Sequence, residues 1–265
     1  MKERELVMKK WILRGVAGLI VLLVVLSVAL AFSLGVIVKK GVERIGPTAT
    51  KVEVRLKGAE VWLLGERVQL SGFYLGNPAG YKLPSAMEVD SISVRVEGRT
   101  VFADKVVVDE IDIKKPIITI EGGLKDNNLT RIEKNLDDYI DSGPTGPATN
   151  AAPATGSPTN SERKLQVNEL VISGAKLQIN TTLSAGRTLV VPIPEIRLTG
   201  LGAGPEGITG VEVSQRVLKA ILRESTKEMA KNVGNLGKEA YGEAKGEAKK
   251  LDLKKIGDKL KGLFQ

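Results

Sequence analysis

The sequence contains neither cysteine nor histidine, and each absence excludes a class of chemistry. Without cysteine there are no disulfides and no thiol chemistry. Without histidine the chain lacks the commonest general base and the usual zinc ligand. Aromatic residues make up only 4% of the 265 residues, which is few for stacking on bases. The net charge of +8 therefore indicates affinity for a membrane surface, and we expect no nucleic-acid partner.

The sequence also lacks the short motifs that mark catalytic and cofactor sites, such as a phosphate-binding loop or a nucleophile elbow. Carboxylates cluster at positions 109–112 and 137–141. The first cluster alternates with strand-forming aliphatic residues, and the second lies at the end of a predicted helix, so solvated faces explain both. We assign no catalytic, cofactor-binding or metal-binding residue and expect that the protein is not an enzyme and uses no cofactor.

The longest feature that is present is an uncharged, almost wholly apolar run at residues 15–38, with basic residues at both ends. A helix of this length covers roughly 36 Å, enough to cross a hydrocarbon core of about 30 Å. A bilayer suits such a helix because every backbone N–H and C=O is satisfied within it. We predict a transmembrane anchor that includes Trp11, Leu19, Leu22, Leu23, Val25, Leu26, Phe32 and Val36.

The charges around this run predict its orientation. Five basic residues precede the run and three follow it, which favours a cytoplasmic segment at residues 1–14 and an exported body. A cleaved signal peptide with a small-residue site at Ala29 and Ala31 is the alternative. The apolar stretch continues beyond that site to Val38, which favours an uncleaved signal-anchor. Both interpretations export the bulk of the chain.

After the anchor, the block 50–141 shows the alternation of apolar and polar residues that is typical of strands with one buried face. Strands are predicted at 51–57, 61–64, 67–75, 91–97, 106–113 and 117–121. A helix is predicted from Asn128 to about Ile140, with N-cap candidates at 126–128. Residues 142–161 carry no charge and are rich in proline and small residues, which predicts a disordered linker over 142–162.

A second β-rich block at 163–202 follows, with strands at 165–168, 170–172, 177–179 and 188–198, and the C-terminal helices occupy 211–265. The first of these helices is predicted at 211–233. Strands follow strands with short connections, which favours antiparallel pairing and an α+β fold. The fold class that we predict is a transmembrane helix, an antiparallel β-sheet with flanking helices, and a C-terminal amphipathic helix.

The aliphatic strand faces have two interpretations. They form an ordinary core under the helices, or part of the face stays open as a groove for acyl chains, since burying apolar surface yields roughly 25 cal/mol per Å². On the second interpretation phospholipid is a partner. The candidate lipid-facing residues are then Val52, Val54, Leu56, Ile92, Val94, Val96, Ile118 and Ile120.

The C-terminal segment 250–265 predicts a basic amphipathic helix. Lysines lie outside an apolar arc, as in helices that bind anionic membrane surfaces. A helix that docks on its own domain and a frayed end remain alternatives. The residues of the apolar arc are Leu253, Ile256, Leu260, Leu263 and Phe264.

Several segments together resemble the opening of AsmA-like bacterial envelope proteins. These segments are LSGFYLGNPAGY (70–81), VDSISVRVEG (89–98), VDEIDIKKPIITIE (108–121) and NNLTRIEKNL (127–136), all of which follow the anchor. The matching positions are Gly72, Asn77, Pro78, Gly80, Tyr81, Pro116, Glu121, Asn128 and Leu129.

The resemblance implies a single-pass protein of the bacterial inner membrane whose periplasmic body is a curved β-sheet related to chorein-type lipid-transfer proteins. It implies a role in phospholipid handling or envelope assembly, and other envelope proteins as partners. A structural scaffold that binds another envelope protein through its β-domain or C-terminal helix is the alternative. The chain is shorter than large members of the family, so it has strands for only a short segment of such a sheet.

Overall fold

The structure is a computed structural model that describes residues 2–123, 126–143, 163–180 and 188–231, with side chains from Val16 onward. Its first element is one long helix, α1 (Lys2–Thr50). The part Val16–Thr50 contains a stretch that is long and apolar enough to cross a membrane. The predicted anchor residues from Leu19 to Val36 are exposed on it, while Trp11 lies where no side chain is described. The helix continues past the predicted run through residues 39–50.

In the described part of the chain nine strands follow, and all of them join one curved sheet. Its strands in chain order are β1 (Val54–Trp62), β2 (Arg67–Gly76), β3 (Ser85–Val96), β4 (Lys105–Lys114), β5 (Ile117–Glu121), β6 (Lys164–Ser173), β7 (Lys176–Asn180), β8 (Leu189–Pro192) and β9 (Ile196–Leu201). β1, β2 and β3 are neighbours, and β3 pairs with both β4 and β5. On one side of β3, β4 pairs with β6, and β6 pairs with β9. β5 pairs with β7, and β7 pairs with β8. The two predicted strand blocks therefore share one sheet.

Three pairs of strands follow one another along the chain with a short interruption between them, namely β4 and β5, β6 and β7, and β8 and β9. The three interruptions lie at the same level of the sheet. Lys115 separates β4 from β5 with φ 51°, and Gly174 separates β6 from β7 with φ 63°. Hydrogen bonds still cross the interruption, from Lys115 N–H to Ser173 C=O at 2.7 Å and from Ile193 N–H to Ala175 C=O at 2.9 Å. The predicted strand at 188–198 is split there into β8 and β9. Interruptions that line up in this way bend the sheet without breaking it.

The prediction of an antiparallel sheet is wrong at two pairs. β4 pairs with β6 in parallel, and β5 pairs with β7 in parallel. The reason is the connection between them. Helix α2 (Asn128–Ser142) carries the chain back along the sheet before β6 begins, so β6 runs in the same direction as β4. The other pairs are antiparallel, as expected.

The helices pack on one face of the sheet, which we call the inner face. α2 begins at the N-cap Asn127, whose side chain accepts from the Thr130 N–H, and this confirms the predicted cap. A third helix, α3, begins at residue 210 and is described to residue 231, with Thr209 and Glu212 bonded reciprocally at its start. The fully buried core lies between these helices and β5 to β7, and includes Ile118, Ile120, Leu129, Ile132, Leu177 and Ile179.

The end of α1 covers the free edge of β1. The Glu43 carboxylate accepts from the Leu56 N–H at 3.0 Å, and Lys39 Nζ donates to the Lys57 carbonyl at 3.3 Å. An uncovered edge strand presents unpaired backbone groups that invite pairing with another chain. α1 therefore closes this edge and fixes itself to the sheet at the same time.

Candidate functional site

An apolar cavity of about 600 Å³ lies between the inner face of the sheet, α1 and α3. The sheet contributes aliphatic and aromatic side chains from β2, β3 and β4, including Leu70, Phe73, Ile92, Val94, Ile111 and Ile113. Several of these, such as Val94 and Ile113, are only half-buried, so the cavity is reached from outside. Its volume is within the range of roughly 300–1,000 Å³ that is usual for ligand sites.

The wall formed by α1 is a stripe of apolar residues at helical spacing. Val38, Val42, Ile45 and Ala49 are separated by four, three and four residues, so they lie on one side of the helix. Gly46 lets the helix approach the start of β1 closely, since a Cβ at that position would come within 2.8 Å of the Val54 Cβ. No structure was predicted for residues 39–50 from the sequence, so this wall was missed, although the spacing of its apolar residues is visible there.

A change of phase in β2 and β3 keeps the cavity wall apolar. Leu70 and Phe73 both line the cavity although they are three residues apart, and Val89 and Ile92 on β3 do the same. Simple alternation would turn one of each pair outward. Gly72 lies between the first two with φ 59°, and a Cβ there would come within 2.7 Å of the Lys57 Cβ. Gly72 adopts this left-handed conformation without a Cβ clash. The side chains that follow it in β2 therefore change the face of the sheet on which they lie.

The structure divides the predicted lipid-facing residues into three groups. Val54, Ile92 and Val94 line the cavity, and Val96 is half-buried beside the core. Val52, which precedes β1, and Leu56 are buried under α1. The remaining two are fully buried near α2, namely Ile118 and Ile120.

The opposite, outer face of the sheet is polar. A cavity of about 320 Å³ lies there, and four of the five charged residues that line it form ion pairs with one another. Arg95 bonds to Glu110 at 2.8 Å, and Lys114 bonds to Asp112 at 3.0 Å. The carboxylates at 109–112 therefore belong to a solvated face with its own counter-charges. In the second cluster, Asp137 is similarly paired with Lys219 on α3 at 3.1 Å.

The residues of the predicted turn motif form a polar network at the end of the sheet where β5 meets α2. Asn77 Nδ2 donates to the Leu83 carbonyl at 2.7 Å, and its Oδ1 accepts from Asn128 Nδ2 at 2.7 Å. The Glu121 carboxylate accepts from the backbone N–H groups of Lys82 and Leu83 at 2.8–2.9 Å. These side chains fix the loop that connects β2 to β3, which is a structural task.

The other motif residues shape the same loop, except for Gly72, which lies within β2. Pro78 C=O accepts from the Tyr81 N–H at 3.4 Å, and Gly80 has φ 98°. Partial burial raises the pKa of the Tyr81 hydroxyl above its ordinary value, and the nearby Asp126 carboxylate adds to the shift. This hydroxyl therefore stays protonated at neutral pH.

Two predictions fall on residues beyond the described part of the chain. One of them is the linker predicted at 142–162, apart from Ser142, which ends α2, and its C-cap Gly143. The other is the apolar arc of the tail, with Leu253, Ile256, Leu260, Leu263 and Phe264.

No family model matches the chain, and no curated protein or solved structure matches it. The resemblance to AsmA-like proteins therefore stays a prediction from the sequence. What the structure defines is a class: an α+β protein with a curved nine-stranded sheet, an apolar cavity and one N-terminal helix that is long enough to span a membrane.

Proposed function

We propose that this protein is a non-enzymatic, single-pass membrane protein that takes up phospholipid acyl chains in the cavity between the sheet, α1 and α3. The observation that carries the proposal is the cavity itself, which has an aliphatic lining and begins at Val38, the last residue of the apolar run. Its place would be a bacterial inner membrane, with residues 1–14 cytoplasmic and the sheet in the periplasm, as the AsmA-like segments imply.

The lining of the cavity suits a hydrocarbon chain. It is built mainly from valine, leucine, isoleucine and phenylalanine side chains of five strands and three helices. Such a wall offers dispersion contacts and very few hydrogen-bonding groups, so a polar substrate would lose its hydration without compensation. An acyl chain has no polar groups to desolvate.

The location of the cavity also suits a lipid. α1 is one unbroken helix, and its residues 38–50 wall the cavity directly after the apolar run. At about 1.5 Å per residue this wall extends roughly 18 Å from the end of the span. A lipid that leaves the bilayer beside α1 would therefore reach the cavity without crossing a long aqueous gap.

One basic residue is positioned for the headgroup. Arg163 lines the cavity where β6 begins, and its guanidinium donates to the Val101 carbonyl. A guanidinium has several N–H donors. The hydrogen bond to Val101 uses one of them, so others remain for a phosphate. We propose that Arg163 binds the phosphate of a lipid whose chain occupies the cavity.

The free energies of burial favour exchange of lipid between the bilayer and the cavity. Burying one CH₂ is worth about 0.8 kcal/mol, whether the apolar surroundings are a bilayer or a protein interior. The two environments therefore offset each other, and the free-energy difference per lipid is small. A site of this kind fits lipid handling or envelope assembly better than long-term storage.

A photo-crosslinking residue at Val94 tests the proposal against a matched control at Ser93. The two positions are adjacent on β3, and Val94 lines the cavity whereas Ser93 lies on the outer face. In membranes that contain labelled phospholipid, we expect a lipid adduct at position 94 and none at position 93.

Equal labelling at the two positions would contradict the proposal, because lipid would then be meeting both faces of the sheet without selection. Adducts to protein alone at position 94 would contradict it too. In that case, an adduct to residues 232–265 of the same chain would identify the cavity as a docking groove for its own tail. An adduct to a second protein would favour the scaffold alternative.

A further inference from the structure

Two loops at one end of the sheet carry exposed apolar side chains. Outside α1, the described residues include seven exposed large apolar side chains, and five of them lie on these loops. The turn between β1 and β2 has Trp62, Leu63 and Leu64, and the loop between β3 and β4 has Val101 and Phe102. Leu64 is fully exposed and Phe102 is 93% exposed. Turns of a water-soluble sheet are normally polar, so this composition requires an explanation.

The two loops form one surface. Glu66 joins them, since its backbone carbonyl accepts from the Val96 N–H at 2.8 Å and its carboxylate accepts from the Gly98 N–H at 3.1 Å. Arg163 donates to the Val101 carbonyl and fixes the second loop from the other side. We call this surface, residues 62–64 and 101–102, the apolar loop pair.

The contacts between α1 and β1 give the height of the loop pair relative to the apolar run. The strand and the helix run in opposite directions, with these contacts in order: Gly46 with Val54, Glu43 with Leu56, Lys39 with Lys57, and Gly35 with Ala59. From Val54 to Ala59 the strand rises about 16 Å, and from Gly46 to Gly35 the helix rises about 16 Å. The strand therefore follows the helix axis closely.

The end of β1 lies beyond Gly35, alongside the apolar run. Trp62 is three residues past Ala59, which places it roughly 10 Å further along the same axis, near the level of Val28. The run covers residues 15–38, so the loop pair lies beside a part of α1 that has no charge. α1 cannot span a bilayer in this structure without bringing these loops to the same layer.

We infer that the apolar loop pair enters the lipid bilayer beside α1, as a second membrane contact made by the sheet itself. Exposed charged residues at the same end of the sheet limit the depth, because the charges of Glu60, Glu66 and Arg67 must reach the headgroups. Trp62 then lies below the headgroups of the same leaflet, where its ring contacts acyl chains while the neighbouring charged side chains extend to the phosphates. The inference rests on the membrane-spanning role of α1 and is independent of what occupies the cavity.

Tryptophan fluorescence tests this directly, because the chain has only Trp11 and Trp62. The full chain carrying Trp11→Phe is placed in vesicles of phosphatidylcholine and phosphatidylglycerol whose acyl chains carry bromine close to the headgroup. We expect quenching of Trp62 comparable to that of Trp11 in the reciprocal Trp62→Phe protein.

The control moves the only tryptophan to the far end of the sheet, with Trp11→Phe, Trp62→Phe and Val190→Trp combined. Val190 is 58% exposed on β8, so the substitution leaves the core intact. We expect no quenching there. Leu64→Asp with Phe102→Asp should reduce the quenching of Trp62 and leave that of Trp11 unchanged, since both side chains are exposed and neither supports the fold.

Quenching of Trp11 without quenching of Trp62 above the control at position 190 would overturn the inference and leave α1 as the anchor. Absence of quenching at both native tryptophans would overturn the inference and also the membrane-spanning role of α1, because α1 would then not enter the bilayer. Neither outcome depends on lipid adducts at Val94, so failure here is distinguishable from failure of the cavity as a lipid site.

Discussion

Asn128 Nδ2 donates to Asn77 Oδ1 at 2.7 Å, which joins the first turn of α2 to a loop 51 residues earlier in the chain. The same amide group also donates to the Thr119 carbonyl at 2.8 Å, and its oxygen accepts from the Glu121 N–H at 3.0 Å. Asn128 is fully buried, so all of its polar atoms are paired inside the protein. This one side chain holds α2, β5 and the β2–β3 loop together.

Asn128→Ala should therefore lower the free energy of unfolding by about 2–4 kcal/mol, because it leaves several buried polar groups without partners. Asn168→Ala is the matched control, since Asn168 is exposed and bonds only at the surface, to Asp109 at 3.2 Å and to Gln166 at 2.9 Å. We expect that change to remain within about 0.5 kcal/mol. Urea unfolding in detergent, followed by circular dichroism, measures both. Equal effects of the two substitutions would contradict the role of the network.

Gly35→Leu should separate α1 from β1. A Cβ at position 35 would overlap the Ala59 carbonyl oxygen, whereas a Cβ at Gly18 on the same helix meets nothing within 4 Å. We expect Gly35→Leu to destabilise the folded body by about 1–3 kcal/mol, as overpacking does, and Gly18→Leu to leave it unchanged. Thermal unfolding in detergent compares the two proteins. An intact transition in both would mean that α1 does not pack on β1 at that level.

Val94→Trp should reduce the amount of phospholipid that co-purifies with the protein, because the larger side chain fills part of the cavity of about 600 Å³. Ser93→Trp, on the outer face, is the control and should leave bound lipid unchanged. Mass spectrometry of lipid extracted from the purified proteins gives the ratio. A cavity that holds no lipid predicts the same amount in both variants.

Arg163→Gln should weaken the capture of phospholipid and leave the capture of an uncharged diacylglycerol unchanged, since only the phosphate would bind the guanidinium. Arg99→Gln is the matched control, because Arg99 is exposed and paired with Glu97 away from the cavity. Crosslinking at Val94 with each labelled lipid measures the difference. A loss with both lipids would indicate that Arg163 supports the β3–β4 loop and does not select a headgroup.

The stability of the protein should depend on pH through Glu133 of α2. Burial raises the pKa of this carboxyl above its ordinary value of 4.5, Asp137 adds to the shift, and Lys219 opposes it. The folded protein therefore binds this proton more tightly than the unfolded chain does. Its contribution is stabilising below the ordinary pKa and is lost as the pH rises through the folded-state pKa.

Glu133→Gln mimics the protonated form, so we expect a higher melting temperature than that of the unaltered protein at neutral pH. The difference should disappear in acid, below the ordinary pKa of glutamate. Thermal unfolding over a pH series provides the measurement. A constant difference at every pH would assign the effect to packing and not to the proton.

Sequence patterns predicted most elements correctly where the pattern is local. Alternation predicted β2 and β4, and the cap at Asn127 predicted the start of α2. The parallel pairing of β4 with β6 was missed because local alternation does not determine the direction in which strands far apart in the chain pair. The split at 193–195 was missed because aligned interruptions in neighbouring strands impose it.

The candidate site was predicted in part for the same reason. Ile92 and Val94 were recognised from alternation, and both line the cavity. Which aliphatic residues stay uncovered depends on where the helices lie, so Ile118 could not be separated from Val94 by pattern alone. Trp62 and Leu64 were both included in a predicted strand at 61–64, whereas β1 ends at Trp62. Large apolar residues at a turn were the signal that would have identified the loop pair.

The unbroken course of α1, from the apolar run to Thr50, has a mechanical consequence. The helix continues without a break from the apolar run to the residues that contact the sheet, where Lys39 and Glu43 form hydrogen bonds with β1. When the apolar run spans a bilayer, as we propose, the outer face and the cavity of the sheet therefore keep a fixed orientation toward the membrane plane. A soluble partner would then have to approach the sheet from the directions that this orientation leaves accessible.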